Sequence, residues 1–263
     1  MNSLCGLWHY RGFILGSVRR EFQIKYLNSL LGACWAFLNP LAMILIYTVI
    51  FSQVMQGRLP ANDNPLSYSF YLCTGILVWG LFSDVVGRAQ SVFIEYANLL
   101  KKLQFPRICL PVIVVANALL HFVIVFGLFT FVLIVTNSFP GWPYIALLPV
   151  LLIQLLFSIG LGIGLGVLNV FFRDVGQFFG IGLQLWFWCT PIVYPLSMLP
   201  ERVQPWLMLN PMARIIEADH QIIVAGEWPN WGDLLLPALL ALLVCWWGMR
   251  TFKTHSAEMV DEL

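Results

Sequence analysis

The chain has 263 residues, is 60% hydrophobic and only 10% charged, and carries a net charge of +1. Its mean hydropathy of +0.82 lies outside the soluble range, and the near-zero charge argues against nucleic acid as a partner. Six cysteines stand singly with no C-x-x-C pair, so neither a disulfide framework nor a metal site is expected, and no cofactor in this chain.

Hydrophobic patterning predicts an all-α integral membrane protein with six transmembrane helices. The first candidate element is an interfacial helix over Leu4–Leu27, where Leu15, Val18 and Phe22 recur at i, i+3 and i+7, and Arg19, Arg20 and Gln23 fall elsewhere on the wheel. Membrane anchoring and a gating or partner-contact role fit it equally. Sequence without charge then runs from Tyr26 to Gly57, enough to cross a ~30 Å hydrocarbon core. Span one is placed at Leu30–Phe51. Span two covers Tyr68–Phe93, with Asp84 and Arg88 at i, i+4 expected to pair near its end.

A loop follows in which Tyr96, Leu99, Leu100 and Leu103 form one apolar face of a short helix that Pro106 ends. That face suits either a groove on a partner protein or a headgroup layer that would take Lys101 and Lys102. From Ile108 to Pro200 the chain runs 93 residues with two charged side chains, the adjacent Arg173 and Asp174. Spans three and four, Ile108–Thr136 and Tyr144–Leu168, are divided by a turn-rich Asn137–Pro143. Gly160, Gly162, Gly164 and Gly166 have the spacing of close helix packing. Span five is placed at Val175–Tyr194.

The stretch Leu196–Asn230 is cut by four prolines, and Asn210-Pro211 reads as the N-cap and first residue of a helix running to about Val224, closed by Gly226. Alternating Met212, Ile215 and Ile216 with Arg214, Glu217 and Asp219 suggests a re-entrant outer gate, with an inert surface hairpin as the alternative. Span six is Trp231–Met249. His121 is a proton-relay candidate or a residue bonded to a neighbouring helix.

Six spans put both termini on one side, and 11 of the 14 basic residues fall on that side. The positive-inside rule makes it the cytoplasm. Arg173-Asp174 then sits in the cytoplasmic turn between spans four and five, because placing both charges mid-membrane costs roughly 5–7 kcal/mol on insertion scales. No G-x-x-x-x-G-K-[ST] loop occurs, so this chain is not itself an ATPase of that kind.

Four patches in order carry a resemblance. They are Arg20–Tyr26 with Ser29–Gly32, Trp35 and Asn39-Pro40; Lys102–Arg107 with Leu110-Pro111; Phe172–Val175 with Thr190–Pro195; and Leu209–Met212. Together they resemble the permease subunit of ABC-2 type polysaccharide exporters, the family of O-antigen, capsule and teichoic-acid export. The resemblance implies a single domain: an interface helix in residues 1–29, spans one to five in 30–195, outer gate helices in 196–230, span six in 231–250 and a cytoplasmic tail in 251–263.

It further implies a homodimer in the bacterial inner membrane, joined to two copies of a separate ATPase that uses ATP and Mg. The substrate would be a polysaccharide, most readily O-antigen, on an undecaprenyl diphosphate carrier. Tyr96, Asn98, Leu99, Leu100, Lys101, Lys102, Leu103 and Phe105 would couple to the ATPase. Arg19, Arg20, Lys25 and Tyr26 would meet the lipid diphosphate. Trp35, Phe178, Trp186, Trp188 and Tyr194 would line the channel, with Arg173 and Asp174 fixing the base of span five. Asn210, Pro211, Met212, Arg214 and Glu217 would shape the outer gate. Export of drugs or small lipids by the same superfamily is the alternative.

Overall fold

The structure, a computed structural model, describes residues 10–27, 34–49, 66–102 and 106–262. Among the described residues all its regular structure is helical, with no strand. Four helical runs are long and apolar enough to cross a membrane. They are α3 (Ser67–Glu95), α5 (Cys109–Val135), the run Trp142–Phe171 made of a 3-10 turn and α6 (Leu147–Phe171), and α10 (Trp231–His255). Each matches an expected span, because an unbroken apolar run that long has only one way to satisfy its backbone in lipid.

The other two expected spans are shorter. Helix α2 (Trp35–Val49) and helix α7 (Asp174–Trp188) have 15 residues each, about 22 Å at 1.5 Å per residue. The ends expected of span one lie outside the described residues. Span five, expected to run on to Tyr194, stops at Trp188: Pro191 and Pro195 supply no N–H to continue it.

Helix α6 is the centre of the bundle, packed on α3 and α10. A Cβ added to Gly162 would lie 2.6 Å from the Ala89 Cβ, and one on Gly166 would lie 2.6 Å from the Ala89 carbonyl oxygen. Gly160 faces the backbone of Val244 and Cys245 on α10 in the same way. The glycine run therefore lets two neighbours approach α6 on opposite sides.

Around this centre the outward faces are apolar. Val123 and Phe131 on α5 and Leu235, Leu239 and Leu242 on α10 are all exposed, as a lipid solvent allows. One end of the bundle, here termed the basic end, gathers α1 (Arg11–Leu27), α4 (Ala97–Lys102), the α6–α7 turn with Arg173, and the end of α10 with Arg250 and Lys253. At the other end, α8 (Gln204–Leu207) leads to α9 (Pro211–His220).

The described part of the expected tail, residues 251–262, is largely helical. Helix α10 extends to His255, and α11 (Glu258–Glu262) folds back so that Met259 is buried beside Leu100 and Phe252.

Candidate functional site

Helix α9 forms as its sequence dictates. Pro211 occupies the first turn, and the Asn210 side chain accepts the Met212 N–H at 3.0 Å, so the cap satisfies an otherwise free donor. One π turn over Gln221–Ala225 follows, and Gly226 ends the run at φ +67°. Its setting is not a surface hairpin: Met212, Ala213, Ile215 and Ile216 have no exposed surface. The helix is enclosed by α3, α6 and α10. Arg214 and Glu217 are half-buried, and Arg214 donates to the Met208 and Asp233 carbonyls. The Asp219 carboxylate is fully buried, with no hydrogen-bond partner among the described residues.

Asn210 does more than cap. Its oxygen also accepts the Trp186 indole N–H at 2.9 Å, and its NH2 donates to the Thr190 hydroxyl at 2.9 Å. One side chain thus ties the end of α7 to the start of α9. The broken segment after α7 has carbonyls that no helix satisfies. Tyr71 donates to the carbonyls of Pro191 and Tyr194 at 3.0 and 3.1 Å, and Tyr68 donates to that of Val193 at 2.7 Å. The His220 ring stacks on Tyr71 at 3.6 Å and its Nε2 meets the Tyr71 carbonyl at 3.0 Å.

Tyr68 and Tyr71 were not singled out from sequence. Their value lies in holding non-helical backbone at membrane depth. Tyr71→Phe is expected to leave two carbonyls without that donor and to destabilise the protein by about 1–3 kcal/mol. A thermal midpoint in detergent unchanged from wild type would show that the break is held otherwise.

Helix α7 presents two faces. Trp186, expected in the channel, points into the bundle with ring centroids 6.2 Å from Trp79 and 5.3 Å from Phe82. The exposed face carries Gln177, Phe178, Ile181, Gln184, Leu185 and Trp188, with Phe178 at 74% and Trp188 at 59% exposure. The pairs Gln177/Gln184, Phe178/Leu185 and Ile181/Trp188 each repeat at seven residues, so amides and aromatics share one wall. The two glutamines escaped the sequence reading. Their signal was there: two amides at i, i+7 in a stretch otherwise apolar. Tyr194 is half-buried and donates to the Trp188 carbonyl at 2.7 Å.

At the base of α7 one buried side chain makes the contacts within the described residues. The side chains of Arg173 and Asp174 are exposed, and no hydrogen bond joins them to the described residues. That residue is Asn169: its Oδ1 accepts the Gly176 N–H and its Nδ2 donates to the Gln90 carbonyl, both at 2.9 Å.

At the basic end, the expected Asp84–Arg88 pair does not form. Arg88 instead pairs with Glu21 of α1. The same carboxylate accepts the Tyr96 hydroxyl at 2.9 Å and the Asn117 NH2 at 2.7 Å. Burial and the hydrogen bond to Glu21 push the Tyr96 phenol up to about 12, so it remains a donor at neutral pH. Four elements meet at Glu21: α1, α3, the turn into α4, and α5.

This fixes the rotation of α1. Val18 and Glu21 turn inward while Leu15 is 67% exposed. Arg19 and Arg20 are exposed. Helix α4 also differs from expectation, because Leu100 is buried in the chain's own core with Phe93 and Met259. What it offers outward is polar: Asn98, Lys101 and Lys102 are exposed, and Asn98, Leu99 and Lys102 line a shallow recess with Glu95 and Tyr96. Leu103 and Phe105, and the side chains of Lys25, Tyr26 and Trp35, lie outside the described residues.

Comparison with known proteins gives a consistent picture. A family model described as ABC-2 type transporter matches residues 14–223. The O-antigen export system permease protein RfbA of Myxococcus xanthus is 32% identical over 259 residues, covering 98% of this chain and 97% of that protein. A protein of the same name from Klebsiella pneumoniae is 32% identical over 208 residues, covering 79% of this chain and 78% of its own length. The polysialic acid transport protein KpsM of Escherichia coli is 22% identical over 246 residues, 92% of each chain.

Proposed function

The chain belongs to the ABC-2 type transporter membrane family, and from that premise we propose that it is the channel-forming permease subunit of an ATP-driven polysaccharide exporter. The cargo is O-antigen on a polyprenyl diphosphate carrier, moved outward across the bacterial inner membrane. Two copies of the chain form the channel, two copies of a separate ATPase dock at the basic end, and the chain crosses six times with both termini in the cytoplasm. The names of its relatives support polysaccharide as cargo.

The observation that carries the reading is the exposed wall of α7. A pyranose offers hydroxyls around its edge and C–H groups on its faces. Amides at Gln177 and Gln184 suit the first, and rings at Phe178 and Trp188 suit the second. A drug site would be an apolar pocket, and an apolar pocket has no use for two exposed amides on one face.

The basic end supplies the rest of the reading. Asn98, Lys101 and Lys102 form the polar surface that meets the ATPase. Exposed Arg19 and Arg20, with Lys25, meet the carrier diphosphate, for which charged hydrogen bonds to phosphate are the natural chemistry. Replacing all three with Gln is expected to reduce export about tenfold or more, the scale of one or two lost charged hydrogen bonds. Surface-glycan immunoblotting with the amount of folded permease as control checks this, and unchanged export would remove these residues from the site. The whole reading is tested by deleting the coding region and analysing surface glycans. Loss of one polysaccharide, with its lipid-linked form accumulating inside, is the expected result, and an intact glycan profile would overturn it.

A further inference from the structure

A cavity of about 610 Å³ opens between α1, α2, α3 and α5. Its lining changes character along its length. Towards the basic end it is polar, with Glu21, Asp84 and Arg88 and, on α5, Asn117 and His121, and along α3 beyond Asp84 it is apolar, reaching Cys73 through Leu81 and Leu77. From Asp84 to Cys73 is about 16 Å along the helix axis, half of the ~30 Å hydrocarbon core and thus the depth of one leaflet.

Charge decides what fits there. Arg88 already neutralises Glu21. Asp84 makes no hydrogen bond or ion pair with any described residue, although it sits at the polar end of a cavity within the membrane. An unpartnered carboxylate at that depth is costly and calls for a cation. Arg88 lies one turn away at i+4 and uses a single Nη2 on Glu21, leaving other guanidinium N–H groups to give. Anion and cation therefore stand side by side above a greasy slot.

We infer that this cavity holds a phospholipid whose headgroup carries a primary ammonium, with the ammonium on Asp84, the phosphate on Arg88 and one acyl chain in the apolar slot. Phosphatidylethanolamine, with its ammonium two carbons from the phosphate, has that order of charges. An anionic diphosphate lipid does not fit, because Asp84 repels it. The site is separate from the exposed Arg19 and Arg20 and from the α7 wall, so it stands whatever the exported cargo is.

The test is lipid retention by the full-length chain, purified with its native assembly after reconstitution in nanodiscs of equal phosphatidylethanolamine and phosphatidylglycerol. Lipids that survive detergent washing are measured by mass spectrometry. Wild type is expected to retain phosphatidylethanolamine in excess, and Asp84→Asn to lower that excess about tenfold, the scale of one charged hydrogen bond. Gly80 lines the same cavity, and a Cβ there meets nothing within 4 Å. Gly80→Phe thus puts a ring into the slot while keeping the Asp84 carboxylate, and is expected to lower retention of both lipids. The inference is overturned if wild type retains the two lipids equally. It is overturned too if Asp84→Asn keeps the excess, if Gly80→Phe leaves retention unchanged, or if undecaprenyl phosphate added to the nanodiscs displaces phosphatidylethanolamine from the wild type.

Discussion

Gly160→Leu is expected to prevent the bundle from assembling, and it is the largest stability effect of any single substitution considered. A side chain at Gly160 has to enter the backbone of α10, since an added Cβ would lie 2.6 Å from the Val244 carbonyl carbon and closer still to Cys245. The contact is reciprocal, because a Cβ on Gly248 would strike the Gly160 carbonyl. No rotamer escapes a clash between main chains, so the helices must part. Overpacking a core costs about 1–3 kcal/mol where side chains can adjust, and here the whole α6–α10 seam would be lost as well. Gly127→Leu on α5 is the control: nothing lies within 4 Å of its added Cβ, and Leu is favoured over Gly in a helix by about 1 kcal/mol. The measurement is the monodisperse fraction after detergent extraction, with a thermal midpoint for whatever survives. If Gly160→Leu matched Gly127→Leu, α6 and α10 would not be in backbone contact.

What could be read from the chain before its structure follows a physical division. Spans two, three, four and six are long apolar runs, which in lipid have to be helices. The cap at Asn210-Pro211 was legible because its chemistry is local. Contacts between distant residues were not legible. Asp84 and Arg88 have ideal i, i+4 spacing, yet Glu21 takes the arginine from 67 positions earlier and adds two further donors. Leu100 reads as a free apolar face until Met259, at the far end of the chain, covers it. Helix α9 reads as a re-entrant gate of mixed polarity, because Arg214, Glu217, Asp219 and His220 punctuate it. The partners of its polar groups were not legible: Arg214 finds carbonyls, and His220 finds Tyr71. The α7 wall lies between these cases. Its amides share a face only in a helix, and that face counts as a wall only once Trp186 is seen turning the other way.

Glu21→Ala is expected to separate ATP hydrolysis from export. In the proposed exporter, the push from the ATPase arrives at α4, and Tyr96 is the residue on which α4 begins. Tyr96 donates to Glu21 on α1, the helix nearest the proposed carrier site, and Glu21 also holds Arg88 of α3 and Asn117 of α5. A displacement of α4 is therefore passed to α1 through one carboxylate. Arg88 is 39% exposed, so the ion pair alone is screened and worth at most about 1 kcal/mol. The effect rests on three donors losing one acceptor together, at about 1.5–3 kcal/mol for each bond to a charged group, and on α1 losing its tie. Export is expected to fall at least about tenfold while the complex, still folded because the seams of α6 with α3 and α10 are untouched, goes on hydrolysing ATP. Tyr96→Phe removes only the link from α4, so it should reproduce the separation with a smaller loss of export. In a double-mutant cycle, Tyr96→Phe added to Glu21→Ala should do no further harm, since both act on one contact. Export and ATPase activity measured in the same reconstituted vesicles decide the matter. A parallel fall in both would make Glu21 a residue of assembly, and additive losses from the two substitutions would break the proposed path between α4 and α1.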